Sequence, residues 1–135
     1  MGQQQLLLLV MGVVIVAIAT LGAFEAFERG ARQDEADGLL DRGLTIATSA
    51  VYWKTTMDPY NGGNQSYEGL RTNGLQTLAL DTANVRGRFA ITAATAQTLE
   101  VTGVSDRYPG IGIRVYVRGY EVDSSDVAFD GTLSL

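Results

Sequence analysis

Four acidic residues crowd one short stretch: Asp34, Glu35, Asp37 and Asp41. Carboxylates this close can share a proton as an acid/base pair or ligate a hard cation. Their spacing within a helical pattern favours a plainer use, a solvated charged face or pairing with Arg of a neighbour. Asp123-x-Ser125-Asp126 offers oxygens for Ca²⁺ but lacks the rest of an EF-hand loop, and reads as a turn. Lys54, the single lysine, has no Ser at the S-x-x-K spacing, so no Ser–Lys nucleophile is built. Asn64-Gln65-Ser66 is an N-x-S sequon, which makes Asn64 a candidate glycosylation site. Trp53 reads as packing at a helix end.

There is no His and no Cys among the 135 residues. That excludes triads with a His base, zinc fingers and disulfide scaffolds. The net charge of −5 excludes a nucleic-acid partner, whose phosphates need clustered Lys and Arg. No constellation for catalysis remains, so the chain is expected to be no enzyme and to use no cofactor and no metal.

Hydrophobic residues make up 46% of the chain, and much of that content lies between Leu6 and Phe24. No charged residue occurs from Gly2 to Phe24. As a helix this run spans about 30 Å, the thickness of a bilayer core. It must lie in lipid, in a bundle of like helices, or in each in turn. Three readings compete: a cleaved signal peptide, a permanent single-pass anchor, and an assembling helix. Ala17-Ile18-Ala19 has the small-x-small cleavage form of the first, but no Lys or Arg precedes the run, which disfavours it. The assembling helix is the favoured reading. Its contact residues are Leu6, Leu7, Leu8, Leu9, Val10, Val13, Val14, Ile15, Ile18, Leu21 and Phe24. One observation opposes export: Arg29, Arg32 and Arg42 follow the run, and the positive-inside rule holds such a flank in the cytoplasm.

No Pro precedes Pro59, so the helix is expected to continue amphipathically over residues 25–57. Phe24, Phe27, Ala31, Ala36, Leu40, Leu44 (or Gly43), Ala47 and Val51 would form the buried stripe. Gly30, Gly38 and Gly43 would allow bends. Residues 58–74 are rich in Gly and Asn and read as a loop. Its Tyr60 and Tyr67 are either surface contact points or local packing. Over residues 75–135 two-residue periodicity appears, in Leu78/Leu80, Phe89/Ile91/Ala93, Leu99/Val101 and Ile111/Ile113/Val115/Val117. Turn signals at Asn73-Gly74, Pro109-Gly110 and Asp123–Asp126 separate the runs. Asp130-Gly131 would close a last hairpin between 127–129 and 132–135. The fold class is therefore α+β: a long N-terminal helix, residues 1–57 with 1–24 as membrane or filament core, packed on a small antiparallel sheet of four to six strands.

This combination resembles the type IV pilin-like subunits. The start, Met1-Gly2-Gln3-Gln4-Gln5-Leu6-Leu7, is similar to a short leader ending in Gly. The resemblance implies cleavage between Gly2 and Gln3 by a prepilin peptidase. The fifth mature residue, usually Glu in that family, is Leu7 here. The resemblance further implies a homopolymeric filament on the cell surface. The inner membrane would hold the subunit first, and pilus assembly machinery would extrude it. The alternative is a single-pass membrane-anchored binding domain.

Overall fold

A computed structural model describes residues 2–135. The uninterrupted run of helix-compatible residues gives one helix, α1, over Gly2–Thr55. Its glycines do not interrupt it. Two compact units divide the chain, Met1–Gln33 and Asp34–Leu135. The described residues of the first are helix alone. The second has its own core and two layers, the α1 residues from Asp34 onward and a sheet.

Four strands form that sheet: β1 (Gly87–Ala94), β2 (Thr98–Ser105), β3 (Gly112–Arg118) and β4 (Glu121–Ala128), all antiparallel and in the order β1-β2-β3-β4. The fold class is the expected α+β, a long N-terminal helix on a small antiparallel sheet. Val101 and Val115 pair across β2 and β3, as do Leu99 and Val117, and all four are buried. Their alternation with Glu100, Thr102, Arg114 and Tyr116 gives the sheet one face toward the helix and one polar face.

Small residues set how closely the layers approach. A Cβ on Gly43 would lie 2.8 Å from Ile113 Cδ1 and 3.2 Å from Val115 Cγ2. Gly103 in β2 leaves room for the ring of Phe89, which a Cβ would meet at 2.6 Å. The buried stripe of α1 runs Glu35, Ala36, Leu39, Gly43, Ile46, Ala47, Ala50 and Lys54. It is turned by about one residue from the expected stripe. Ala36, Ala47 and, of the alternatives Leu44 and Gly43, Gly43 are shared, while Leu40 and Val51 flank the core and Leu44 is exposed.

Three short-range expectations fail. Leu78 and Leu80 are not in a strand; a short helix α2 occupies Gly74–Thr77. Leu75 and Leu78 pack at an i, i+3 spacing, and Leu80 donates its N–H back to Leu75 O at 2.8 Å. Asp123–Asp126 is no turn but the middle of β4. The β3–β4 reversal is instead the two-residue loop Gly119-Tyr120, where Gly119 takes φ 66°, a left-handed value suited to glycine. No hairpin forms at Asp130-Gly131. The Asp130 carboxylate accepts from Thr132 N and Oγ1 (3.1 and 2.7 Å), and Gly131 N–H donates to Gly110 O at 2.9 Å. The Asp130 bonds close a local turn, the Gly131 bond ties it to the segment before β3, and no strand follows.

The two sheet edges differ. Phe89 N–H donates to Thr82 O at 2.8 Å, Ala83 bridges Arg88, and Arg71 donates to Ala94 O, so β1 is covered by its own chain. β4 is the open edge, exposed along nearly its whole length. It carries Glu121, Asp123 and Asp126, with a register irregularity opposite Tyr116/Val117.

Candidate functional site

Among the described residues, the large apolar side chains of the α1 run are exposed. Leu6, Leu7, Leu8, Leu9, Val10, Val13, Val14, Ile15, Ile18, Leu21 and Phe24 are each at least half exposed, on every side of the helix. Full burial of one such side chain stabilises by about 1.5–3 kcal/mol, so the segment as a whole strongly favours an apolar surrounding. The hydroxyl of Thr20 donates to Val16 O at 2.7 Å, which satisfies the donor of its side chain inside that run. Among the described residues α1 is the one helix long and apolar enough to cross a membrane. Gly2 and Gln3 open the helix. Met1 of the expected leader lies outside the described residues.

Charge begins directly after the run. Glu25, Glu28, Arg29 and Arg32 follow at i, i+3, i+4 and i+7, within an arc of about 100° on one side of the helix. Glu25 and Arg29 stand 4.0 Å apart with their side chains 72% and 84% exposed, a loose and solvated contact. Phe27, at 77% exposure, lies away from that arc.

The second unit holds two charged groups at the ends of the buried stripe. At the C-terminal end, Lys54 is 0% exposed. Its Nζ donates to Gln97 Oε1 and Gly119 O, each at 3.2 Å, and lies 4.5 Å from the ring centres of both Tyr67 and Tyr120. Burial lowers the pKa of this amine. The Tyr67 hydroxyl donates to the same Gly119 O at 2.6 Å. Burial, and then the neighbouring Tyr120 hydroxyl, push Tyr67 up to about 12. Lys54 thus ties the end of α1 to the β1–β2 turn, the β3–β4 turn and the 58–74 loop. Of the two alternatives for the loop tyrosines, Tyr67 is packing and Tyr60, 94% exposed, is surface.

At the other end Glu35 is buried. Its Oε1 accepts from Ser105 Oγ at 2.8 Å, and its Oε2 accepts from Arg86 Nη1 at 3.3 Å, with Arg107 at 4.0 Å. A Cβ on Gly38 would lie 2.6 Å from the Arg86 guanidinium, so that glycine lets Arg86 cross the helix to reach Glu35. Glu35 is therefore no member of a solvated acidic face, which corrects that expectation for this residue; Asp34, Asp37 and Asp41 are exposed.

Other sequence candidates are dispersed. Asn64 is exposed in the loop at φ 51°, with its Nδ2 donating to Asp58 O at 3.3 Å. Among the described residues no group of three metal-ligating side chains converges. The clefts are shallow. One of about 250 Å³ on the polar sheet face lies between Glu100, Tyr116, Arg118 and Asp123, and Glu100 there is already paired with Arg114 at 3.0 Å. Comparison with protein-family models, with curated proteins and with solved structures finds no match to this chain. A long N-terminal apolar helix packed on a small antiparallel sheet is consistent with a pilin-like architecture. The exposed apolar run of α1 is the feature with the strongest claim to function.

Proposed function

We propose that this chain is a structural subunit of a pilus-like filament at the cell surface, assembled by packing of α1 residues 6–24 between copies. The exposure of that run on all sides carries the reading. A helix apolar all round needs apolar partners all round, and a bundle of like helices supplies them as lipid does. The second unit has its own core and would remain on the outside of such a bundle. The same run would hold the subunit in the inner membrane before assembly. A prepilin peptidase and assembly machinery belong to the proposal through the resemblance to type IV pilin-like subunits.

The length of the run, about 28 Å for residues 6–24, equally favours a monomeric membrane-anchored binding domain. Electron microscopy and mass spectrometry of material sheared from producing cells separate the two. Thin filaments composed mainly of this chain support the subunit, and the mass of the N-terminal peptide reports cleavage after Gly2. A chain that stays in the membrane fraction, with no filaments released, overturns the subunit reading in favour of the anchor.

A further inference from the structure

Apolar helices packed side by side gain little from one axial position over another, because sliding replaces one apolar contact with the next. A polar element is what usually fixes register in such bundles. Within residues 2–33 that element is Glu25, Glu28, Arg29 and Arg32, the only charged side chains there. Their order along the helix is acid, acid, base, base. They share one face, they directly follow the uncharged run, and the Glu25–Arg29 ion pair is long and solvated, so it is given up for another partner at little cost.

Resting on the filament reading, we propose that this charged collar docks on the collar of a second copy and sets the axial offset between neighbouring α1 helices. Single-span chains inserted by one route are parallel, and copies related by a screw operation present the same face to their common axis. At zero offset each Glu then meets its own counterpart and each Arg does likewise, so like charges oppose. An offset of three residues places Glu25 against Glu28 and Arg29 against Arg32, again like against like. An offset of four places Glu25 against Arg29 and Glu28 against Arg32, and both pairs match. An offset of seven matches Glu25 with Arg32 alone. The pattern selects four residues, about 6 Å along the helix. Burial of the collar between helices would sharpen the selection, since unmatched charges removed from water are costly.

Charge-swapped subunits produced in place of the native chain test this, with sheared filaments counted by electron microscopy and the chain measured in the membrane fraction. Glu25→Arg with Glu28→Arg leaves four bases that repel at every offset, and filaments are expected to vanish while the chain stays in the membrane. Adding Arg29→Glu and Arg32→Glu restores a complementary order, base, base, acid, acid, and filaments are expected to return. Where the four-base variant fails to insert, Arg29→Glu with Arg32→Glu replaces it, since it adds no positive charge. Filaments at native yield from either double variant, or none from the four-fold swap, overturn the collar while leaving the subunit reading intact. A native chain that forms no filaments removes both. Neighbouring α1 helices offset by about 6 Å in a native filament reconstruction support the collar, and an offset that leaves the four charges unmatched rejects it.

Discussion

Lys54 carries an ammonium group into a site whose acceptors are two uncharged carbonyl oxygens and whose walls are two phenol rings. Its pKa is lowered, so the unfolded chain binds more protons than the folded one between the folded value and 10.5. This stabilising contribution is complete above 10.5 and is lost as pH falls through the folded value. Tyr67 works in the opposite sense. With its pKa at about 12 against 10.0 for a free phenol, its contribution is complete below pH 10 and lost as pH rises toward 12. Denaturant titrations of the full chain in detergent should therefore show stability gained toward pH 10 and then lost. Lys54→Met should flatten the rising limb and Tyr67→Phe the falling one. Glu35 offers a second test. Glu35→Gln is expected to cost about 1–2 kcal/mol in the same titration, the low end for a charged hydrogen-bonded group, because Arg86 and Arg107 are about half exposed and can regain water. Arg86→Ala should cost more than Arg107→Ala, since Arg86 makes the shorter contact. Both buried groups were legible in part: Glu35, Leu39, Gly43, Ala47, Ala50 and Lys54 repeat at steps of three and four. Aligning the stripe on large apolar residues such as Leu40, Leu44 and Val51 turned it away from them. Their partners Arg86, Ser105, Gln97 and Gly119 lie dozens of residues away, at distances no local pattern encodes.

Within helix α1 the glycines do different work. Nothing lies within 4 Å of a Cβ on Gly30, whereas one on Gly43 meets Ile113 and Val115. Gly30→Ala is expected to stabilise by about 0.5–1 kcal/mol through helix propensity alone. Gly43→Val is expected to destabilise by about 1–3 kcal/mol, because it forces the helix off β3 in a packed interior. Thermal or denaturant midpoints of the two variants check the contrast, and equal shifts in the same direction would refute it. The elements with long, consistent patterns were readable: α1, with no Pro along it and no charge before Glu25, and β3, with its alternation over Ile113, Val115 and Val117. Short elements were not. Leu78 and Leu80 fit a two-residue period, but Leu75 and Leu78 fit a helical one equally well, and four residues do not decide between them. Asp123–Asp126 has turn-forming residues yet pairs with β3, where hydrogen bonding along an edge outweighs weak intrinsic preference.

At the scale of the whole molecule the two units differ in what they need. Residues from Asp34 onward enclose a core of their own, with Leu39, Ile46, Tyr67, Phe89, Val101, Ile113 and Val115 buried. No residue of the apolar run is among those core residues. Removal of residues 2–24 is expected to leave a folded, monomeric, detergent-free protein with an unchanged denaturant midpoint. The full chain should require detergent or associate. Light scattering coupled to size exclusion distinguishes these outcomes, and a truncated chain that still oligomerises would contradict the division of labour. The sequence marks where the uncharged run ends, at Glu25, whereas the two compact units meet at Gln33 and Asp34, inside a continuous helix with no local signal. What the run packs against was not legible either, since lipid and a bundle of identical helices present the same apolar surface to it.

The open strand β4 has a consequence for crowded copies. Tethering many heads side by side raises their effective concentration to the millimolar range, where bare strand edges fuse into shared sheets. On this molecule the one uncovered edge carries Glu121, Asp123 and Asp126 and is kinked opposite Tyr116/Val117. Two such edges brought together would set carboxylate against carboxylate across a broken hydrogen-bond ladder. The domain is thereby insulated from its own duplicates, and close quarters need not lead to amyloid.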